Sequence, residues 1–128
     1  MFRVKYAGIH NINHHYFESD MHSGIYYDFL LFFHTPYYFG ANRNEITEYP
    51  PNTAVYIPKY TPYYYSPVKN TSEQIYEDSY IQFYKDDIFM NNTMIPSMKP
   101  ICISDAFWMI RLLEFVAYEN YIKSPNSE

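Results

Sequence analysis

Up to about residue 84, the chain alternates short apolar runs with clusters of turn residues, which is the pattern of short β-strands. Ile25 to His34 is the strongest of these, because its nearly continuous apolar run is typical of a strand covered on both faces. Asn42 to Asn44 predicts a hairpin turn, since Asn tolerates left-handed backbone geometry. Residues 10–24 are polar and predict a loop. The predicted strands are Arg3 to Ile9, Ile25 to His34, Tyr37 to Ala41, Glu45 to Tyr49, Thr53 to Ile57, Tyr63 to Ser66 and Ile75 to Tyr84.

Proline-marked corners separate many of these strands, and such a series favours a β-sandwich or a barrel. Beyond Tyr84 the pattern changes to helical spacing. Asp86 and Asp87 favour the start of a short helix. A main helix is predicted from about Ser104 to Tyr121. Its apolar arc is wider than one docking face needs, so we expect this helix to contact two surfaces.

The composition limits the classes of function. A chain of 128 residues forms one domain with a single core. Its net charge of −5 repels a phosphate backbone, which argues against DNA or RNA binding by these residues themselves. The 17 Tyr and 10 Phe residues are explained either by the codon bias of an AT-rich genome or by aromatic side chains that line a pocket. Both explanations stay open.

The N-terminal sequence lacks the apolar core of a signal peptide. The longest apolar run, Phe29 to Phe33, is too short to cross a bilayer. We therefore expect a cytoplasmic protein with no membrane contact. The single cysteine, Cys102, lies between two isoleucines and is predicted to be a small core residue rather than a nucleophile.

The segment from Pro51 to Tyr65, PNTAVYIPKYTPYYY, carries a family resemblance. It resembles the Pro-Gly-Asp, apolar strand, Ile-Pro-Pro-Gly segment of cupin barrels. The predicted strand that includes Tyr76 to Phe83 follows after a short polar loop. In this order the two segments resemble the N-terminal sensor domain of the AraC/XylS family of bacterial transcription regulators. The stretches Val4 to Gly8 and Asp28 to Phe32 fit the same template.

The resemblance implies a mainly β fold. It places a cupin-like β-barrel or jelly roll, with an N-terminal arm, in residues 1–100 as the ligand-sensing domain. It places a C-terminal α-helix that packs on the barrel, with the start of a linker, in residues 101–128. In the family a helix-turn-helix part then follows, which this sequence does not contain. We therefore expect DNA to be bound only through that further part, and the full-length protein to form a homodimer.

Members of the family bind a small effector, a sugar or another metabolite, inside the barrel. Carried over residue by residue, the resemblance implies effector-binding side chains at His10, His22, Tyr65, Asp78 and Tyr80. Tyr rings stack on a sugar, and a carboxylate accepts hydrogen bonds from its hydroxyls. Asp78 and Tyr80 share one face of a strand, so both side chains can enter one cavity. The 10–24 loop is expected to order over the mouth of the barrel when the effector binds.

Each of these five residues also has a plain structural explanation. The two tyrosines suit the core or its rim, Asp78 suits a solvated strand position, and the two histidines suit a surface loop.

Two departures from cupin enzymes argue against catalysis. Tyr63 replaces the metal-binding His after the second motif, and the upstream His-x-His motif is absent. A metal enzyme needs about three converging ligands and an open coordination position. We therefore predict a domain that is not an enzyme and that uses neither a metal nor another cofactor.

Three alternatives stay open. A cupin-type isomerase or dioxygenase would need either a metal triad or a buried acid–base pair, and His22 with Asp78 is the best available pair. A carbohydrate-binding module would explain the aromatic residues, but that class works outside the cell and no secretion signal supports it. A structural metal site would use the early histidines, which are His10, His14, His15 and His22. No carboxylate or cysteine lies at ligand spacing beside them in the sequence.

Overall fold

The computed structural model describes residues 2–69, 75–85, 96–105, 109–111 and 113–114. Strands dominate these residues, so the protein is mainly β. The strands are β1 (Phe2–Asn13), β2 (Ser19–Met21), β3 (Asp28–Phe33), β4 (Tyr37–Asn42), β5 (Glu45–Tyr49), β6 (Thr53–Ile57), β7 (Tyr63–Pro67), β8 (Tyr76–Lys85) and β9 (Ile101–Cys102). Residues 109–111 and 113–114 are helical, and we call them the C-terminal helical segment.

The strands form two antiparallel sheets. The five-stranded sheet has the order β1-β8-β3-β6-β9, and the four-stranded sheet has the order β2-β7-β4-β5. Most neighbours in these sheets are distant in sequence, so the fold depends on long-range pairing rather than on consecutive hairpins. The expectation of a β-sandwich or barrel is met at the level of two sheets, and no closed barrel forms among the described strands.

The apolar side chains of β3 show why the sheets pack together. Phe29, Leu31 and Phe33 face the four-stranded sheet and are buried. Phe32 is fully buried on the opposite face, as the continuous apolar run predicted for a strand covered on both sides. Burial of one large apolar side chain stabilises the fold by about 1.5–3 kcal/mol. The strand at the centre of the five-stranded sheet therefore anchors both of its faces.

Aromatic rings fill the space between the two sheets, which we call the inner core. The four-stranded sheet contributes three buried tyrosines, Tyr37, Tyr63 and Tyr65. Phe33 and Tyr37 stack with their ring centroids 4.7 Å apart and their planes inclined by 13°. Offset stacked and edge-to-face pairs add about 0.5–1.5 kcal/mol each beyond the area they bury.

The outer face of the five-stranded sheet carries a second apolar cluster. Ile81 and Phe83 of β8 pack there with Tyr56 and with Leu113 of the C-terminal helical segment. Leu113 is only 1% exposed, so this segment covers the sheet. Within the predicted 104–121 helix, residues 109–111 and 113–114 are helical, whereas Ser104 and Asp105 are not. The short helix predicted from Asp86 lies outside the described residues.

Most strand positions follow the predictions closely. β5 and β6 have the predicted bounds, and β4 and β5 form the predicted hairpin. β3 begins at Asp28 rather than Ile25, because Gly24 has a φ of 72° and the carbonyl of Ile25 accepts a hydrogen bond from Tyr60 N. Cys102 is exposed at the edge strand β9, so the prediction of a core cysteine was wrong.

The predicted loop at residues 10–24 was also wrong in part. β1 continues to Asn13, and β2 occupies Ser19–Met21 and pairs with β7. Asn and His residues are poor strand formers, but each strand has a partner whose backbone hydrogen bonds outweigh that preference.

Among the residues that the structure describes, no helix is long and apolar enough to cross a membrane.

Candidate functional site

β8 carries polar side chains on both faces of the five-stranded sheet, because successive side chains of a strand point in opposite directions. Asp78 and Tyr80 point into the space between the sheets. Glu77 and Ser79 point to the outer face. We call the first set, Asn11, Asn13, Tyr37, Tyr65, Asp78 and Tyr80, the inner polar cluster. We call the second set, His10, His34, Glu77, Ser79 and Glu114, the outer polar cluster.

A β-bulge in β1 supplies residues to both clusters. Gly8 pairs with Tyr80, and the next pair joins Asn11 to Asp78. Two residues of β1 therefore lie opposite one residue of β8, which is the definition of a bulge. His10 sits in the bulge with a φ of 54°, in the left-handed region. The bulge turns His10 to the outer face while Asn11 returns to the inner one.

Hydrogen bonds tie the inner polar cluster together. Asn13 Nδ2 donates to Asp78 Oδ2 at 2.9 Å and to the Tyr37 hydroxyl at 2.8 Å. Asn11 Nδ2 lies 3.4 Å from Asp78 Oδ1 and 3.1 Å from Asn13 Oδ1. Two amides from β1 thus satisfy a carboxylate on β8. A buried carboxylate with good donors of this kind is a specific acceptor for polar groups.

Burial raises the pKa of Asp78 from its ordinary value to about 6. The hydrogen bonds from Asn13 and Asn11 act in the opposite direction, and the negative charge of Glu77 adds to the rise. The side chain of Asp78 has no exposed surface. At neutral pH the group is therefore largely an ionised acceptor, close to the range where it takes up a proton.

Three tyrosines surround this carboxylate. Burial raises the pKa values of Tyr37, Tyr65 and Tyr80, and the negative charge of Asp78 raises each of them further. Their hydroxyls therefore stay protonated at neutral pH. A protonated phenol both donates and accepts hydrogen bonds, whereas the carboxylate only accepts. The cluster thus offers donors and acceptors together, in an aromatic setting.

The backbone of β1 makes room for one of these rings. A Cβ at position 8 would lie 2.5 Å from Cε1 of Tyr80, so only Gly8 allows the ring to lie across β1. Phe17, in the segment between β1 and β2, packs on Tyr65 with ring centroids 5.6 Å apart. Asn11 is exposed and Tyr80 is half-buried. The inner polar cluster therefore reaches the surface at Asn11 and is otherwise enclosed by aromatic rings.

The structure brings together three of the five predicted effector-binding residues: Tyr65, Asp78 and Tyr80. His10 lies on the bulge of β1, between the residues that pair with Tyr80 and Asp78, but its side chain belongs to the outer polar cluster. His22 lies elsewhere, with 83% of its side chain exposed and its Nε2 3.6 Å from Asp20 Oδ1. His10 and His22 therefore do not belong to one site.

Sequence reasoning missed Asn11, Asn13 and Tyr37 as members of the inner polar cluster. The two asparagines fall in a stretch whose composition predicts a loop, so their alternation along a strand was hidden. Their spacing of two residues is the signal that could have found them, because it places both on one strand face.

The outer polar cluster is built around His10 and His34, whose rings stack with centroids 4.8 Å apart. Nδ1 of His10 contacts the Glu77 carboxylate, and its Nε2 lies 3.6 Å from Oε2 of Glu114. His34 Nε2 lies 2.6 Å from Ser79 Oγ, and that oxygen also accepts a hydrogen bond from the His10 backbone at 2.9 Å. Four separate segments of the chain meet at this point.

Burial lowers the pKa of His34, the Glu77 carboxylate raises it, and His10 lowers it again. One ligand atom from each of His10, His34 and Glu77 lies within 4.8 Å of the others. Two imidazole nitrogens and one carboxylate oxygen are ligands that a divalent transition metal accepts. This set includes only one of the four early histidines that the sequence offered as metal ligands.

A third group of aromatic residues lies at the surface, at the opposite end of β8. Tyr27 and Tyr84 pack edge to face with centroids 5.0 Å apart, and Tyr26 contacts both Tyr27 and Tyr60 in the same manner. The hydrogen bond with Tyr84 is the main cause that raises the pKa of Tyr27 to about 12. Rings packed edge to face stabilise one another, and they present less flat surface to a sugar than a parallel platform would.

No protein-family model matches the chain, and no curated protein matches it.

Proposed function

We propose that this chain is the effector-sensing domain of a bacterial transcription regulator of the AraC/XylS type, with a cupin-like arrangement of its strands. The effector binds at the inner polar cluster, and it is a small neutral molecule rich in hydroxyl groups, a sugar or a related metabolite. The domain is cytoplasmic and not an enzyme. DNA binding belongs to a further part of the regulator, and the full-length protein forms a homodimer.

One observation carries this proposal: the carboxylate of Asp78 is fully buried between the sheets, among amides and tyrosines. A buried carboxylate costs stability unless it is well satisfied, so its presence beside tyrosine hydroxyls favours a binding role. The carboxylate accepts hydrogen bonds from hydroxyls, and Asn11 and Tyr80 offer further donors. The faces of the tyrosine rings suit the C–H faces of a sugar.

The inner polar cluster has no positively charged side chain beside Asp78, which fits a neutral effector. Sites for anionic ligands use Arg or Lys, whose fixed positive charge pairs with a carboxylate or phosphate. The inner polar cluster contains no Arg or Lys among its six members. Asp78 itself repels an anion at neutral pH.

The segment between β1 and β2 covers the inner polar cluster at Tyr65. Phe17 covers Tyr65, and backbone pairing holds the flanking strands in place. We therefore narrow the expected lid from residues 10–24 to residues 14–18. Binding that requires Phe17 to move would let this segment report occupancy to the rest of the regulator.

The test is a thermal-shift and calorimetric screen of the chain against D- and L-pentoses and hexoses, with and without chelator. A ligand at a hundredfold excess over its dissociation constant stabilises the folded state by about 2.7 kcal/mol. We expect one sugar class to raise the melting temperature whether or not chelator is present. Failure of every sugar in the panel to bind would overturn the proposed effector class.

Matched variants then locate the site. Asp78→Asn and Tyr80→Phe are nearly isosteric; the first removes the negative charge and one acceptor oxygen, and the second removes the hydroxyl. We expect each to weaken sugar binding at least tenfold. His22→Ala is the control, because this histidine is exposed and lies outside the cluster. A sugar whose affinity changes with His22→Ala but not with Asp78→Asn would place the effector elsewhere.

A further inference from the structure

The outer polar cluster has no part in the proposed effector site, because it lies on the opposite face of β8. We propose that it is a second site, which binds one divalent transition-metal ion of the zinc class through His10, His34 and Glu77. The one observation that carries this is the convergence of their ligand atoms, all within 4.8 Å of one another.

The chemistry of the donors selects the class of ion. Imidazole nitrogen together with carboxylate oxygen suits Zn²⁺, Co²⁺ and Ni²⁺, whereas Ca²⁺ and Mg²⁺ prefer sites made of oxygen alone. Three protein ligands leave at least one coordination position for solvent or another group. Zinc binding requires these donors to move from their present spacing to bond lengths of about 2.0–2.2 Å around the ion.

Charge and access also favour a cation. Glu77 and Glu114 place two carboxylates beside His10, at its two ring nitrogens. The side chains of His10 and Glu114 are 45% and 38% exposed, so an ion from solvent reaches the cluster directly. Arg111 Nη1 lies 3.3 Å from Glu114 Oε1 and offsets the charge of that carboxylate, so Glu77 is the carboxylate that favours the cation.

The surrounding fold already orients two of the ligands. The bulge in β1 turns His10 toward His34, and the left-handed φ of His10 fixes that direction. Ser79 Oγ lies 2.6 Å from Nε2 of His34 and so helps to fix the orientation of that ring. Metal-binding histidines commonly have a second hydrogen-bond partner of this kind, which fixes the ring orientation.

Calorimetry of the tag-free, metal-stripped chain with Zn²⁺, and the visible absorption spectrum with Co²⁺, test the site. We expect one ion per chain, a rise of several degrees in melting temperature that chelator reverses, and the absorption bands of a low-symmetry Co²⁺ site. The absence of Zn²⁺ binding at millimolar concentration would overturn the proposal.

Variants distinguish this site from adventitious binding by surface histidines. His10→Asn, His34→Gln and Glu77→Gln each remove one ligand, and each is expected to weaken Zn²⁺ binding at least tenfold. Asn is chosen at position 10 because it tolerates the left-handed backbone there, so the bulge survives. The matched control replaces both His14 and His15 with Ala and is expected to bind as the natural chain does. Binding that survives His34→Gln and Glu77→Gln but not the control would assign the ion to the surface histidines and refute the proposed ligands.

Discussion

The raised pKa of Asp78 makes the stability of the folded protein depend on pH. Its pKa is about 6 in the folded protein and 3.8 by reference to an ordinary carboxyl group. Between these values the folded state binds more protons than the unfolded state does, so stability contributed by this group falls as pH rises. That contribution is fully present below the ordinary pKa and is lost as pH rises through the folded pKa.

Asp78→Asn should remove this pH dependence while keeping an acceptor oxygen for Asn13. Relative to the natural chain, we expect the variant to gain on the order of 3 kcal/mol in free energy of unfolding between pH 4 and pH 7. Urea unfolding at a series of pH values measures the difference. Glu48→Gln is the control, since Glu48 is an exposed carboxylate on β5. A difference between Asp78→Asn and the natural chain that stays constant with pH would contradict the assignment.

At the scale of one element, the bulge in β1 decides which side chains reach which face. Strict alternation predicted that Asp78 and Tyr80 share a face, and the structure places both in the inner polar cluster. The bulge was not predictable in the same way. His10 has a left-handed φ of 54°. His is enriched among residues with positive φ, but the residue type alone does not predict that conformation. The polar end of β1 forms a strand only because β8 pairs with it, so its composition alone predicts a loop.

Two substitutions at this position separate backbone geometry from side-chain chemistry. His10→Asn and His10→Val both remove the imidazole, but only the β-branched Val is strongly disfavoured at positive φ. We expect the Val variant to be less stable than the Asn variant by roughly 1–2 kcal/mol. Urea unfolding of both variants, in metal-free buffer, provides the comparison. Equal stability of the two would show that the bulge does not hold this backbone in the left-handed region.

At the scale of the whole molecule, the five-stranded sheet needs cover on both faces. Sequence patterns predicted most of the strands because apolar alternation and proline corners are local signals. These local signals could not predict the order in which the strands pair, since β1 and β8 are neighbours only through contacts between distant parts of the chain. The broad apolar arc of the predicted C-terminal helix pointed to burial, and Leu113 is indeed buried against the outer face of the sheet.

Leu113→Ala tests whether the C-terminal helical segment belongs to the stable core of the molecule. Leu113 is 1% exposed and packs with Phe32, Tyr56 and Ile81, so truncation leaves a cavity in the outer cluster. We expect a loss of about 2–5 kcal/mol in the free energy of unfolding, measured by urea denaturation. Arg111→Ala is the control, because Arg111 is exposed and its ion pair with Glu114 is worth little at the surface. A loss no larger than that of the control would mean that the sheet is stable without this cover.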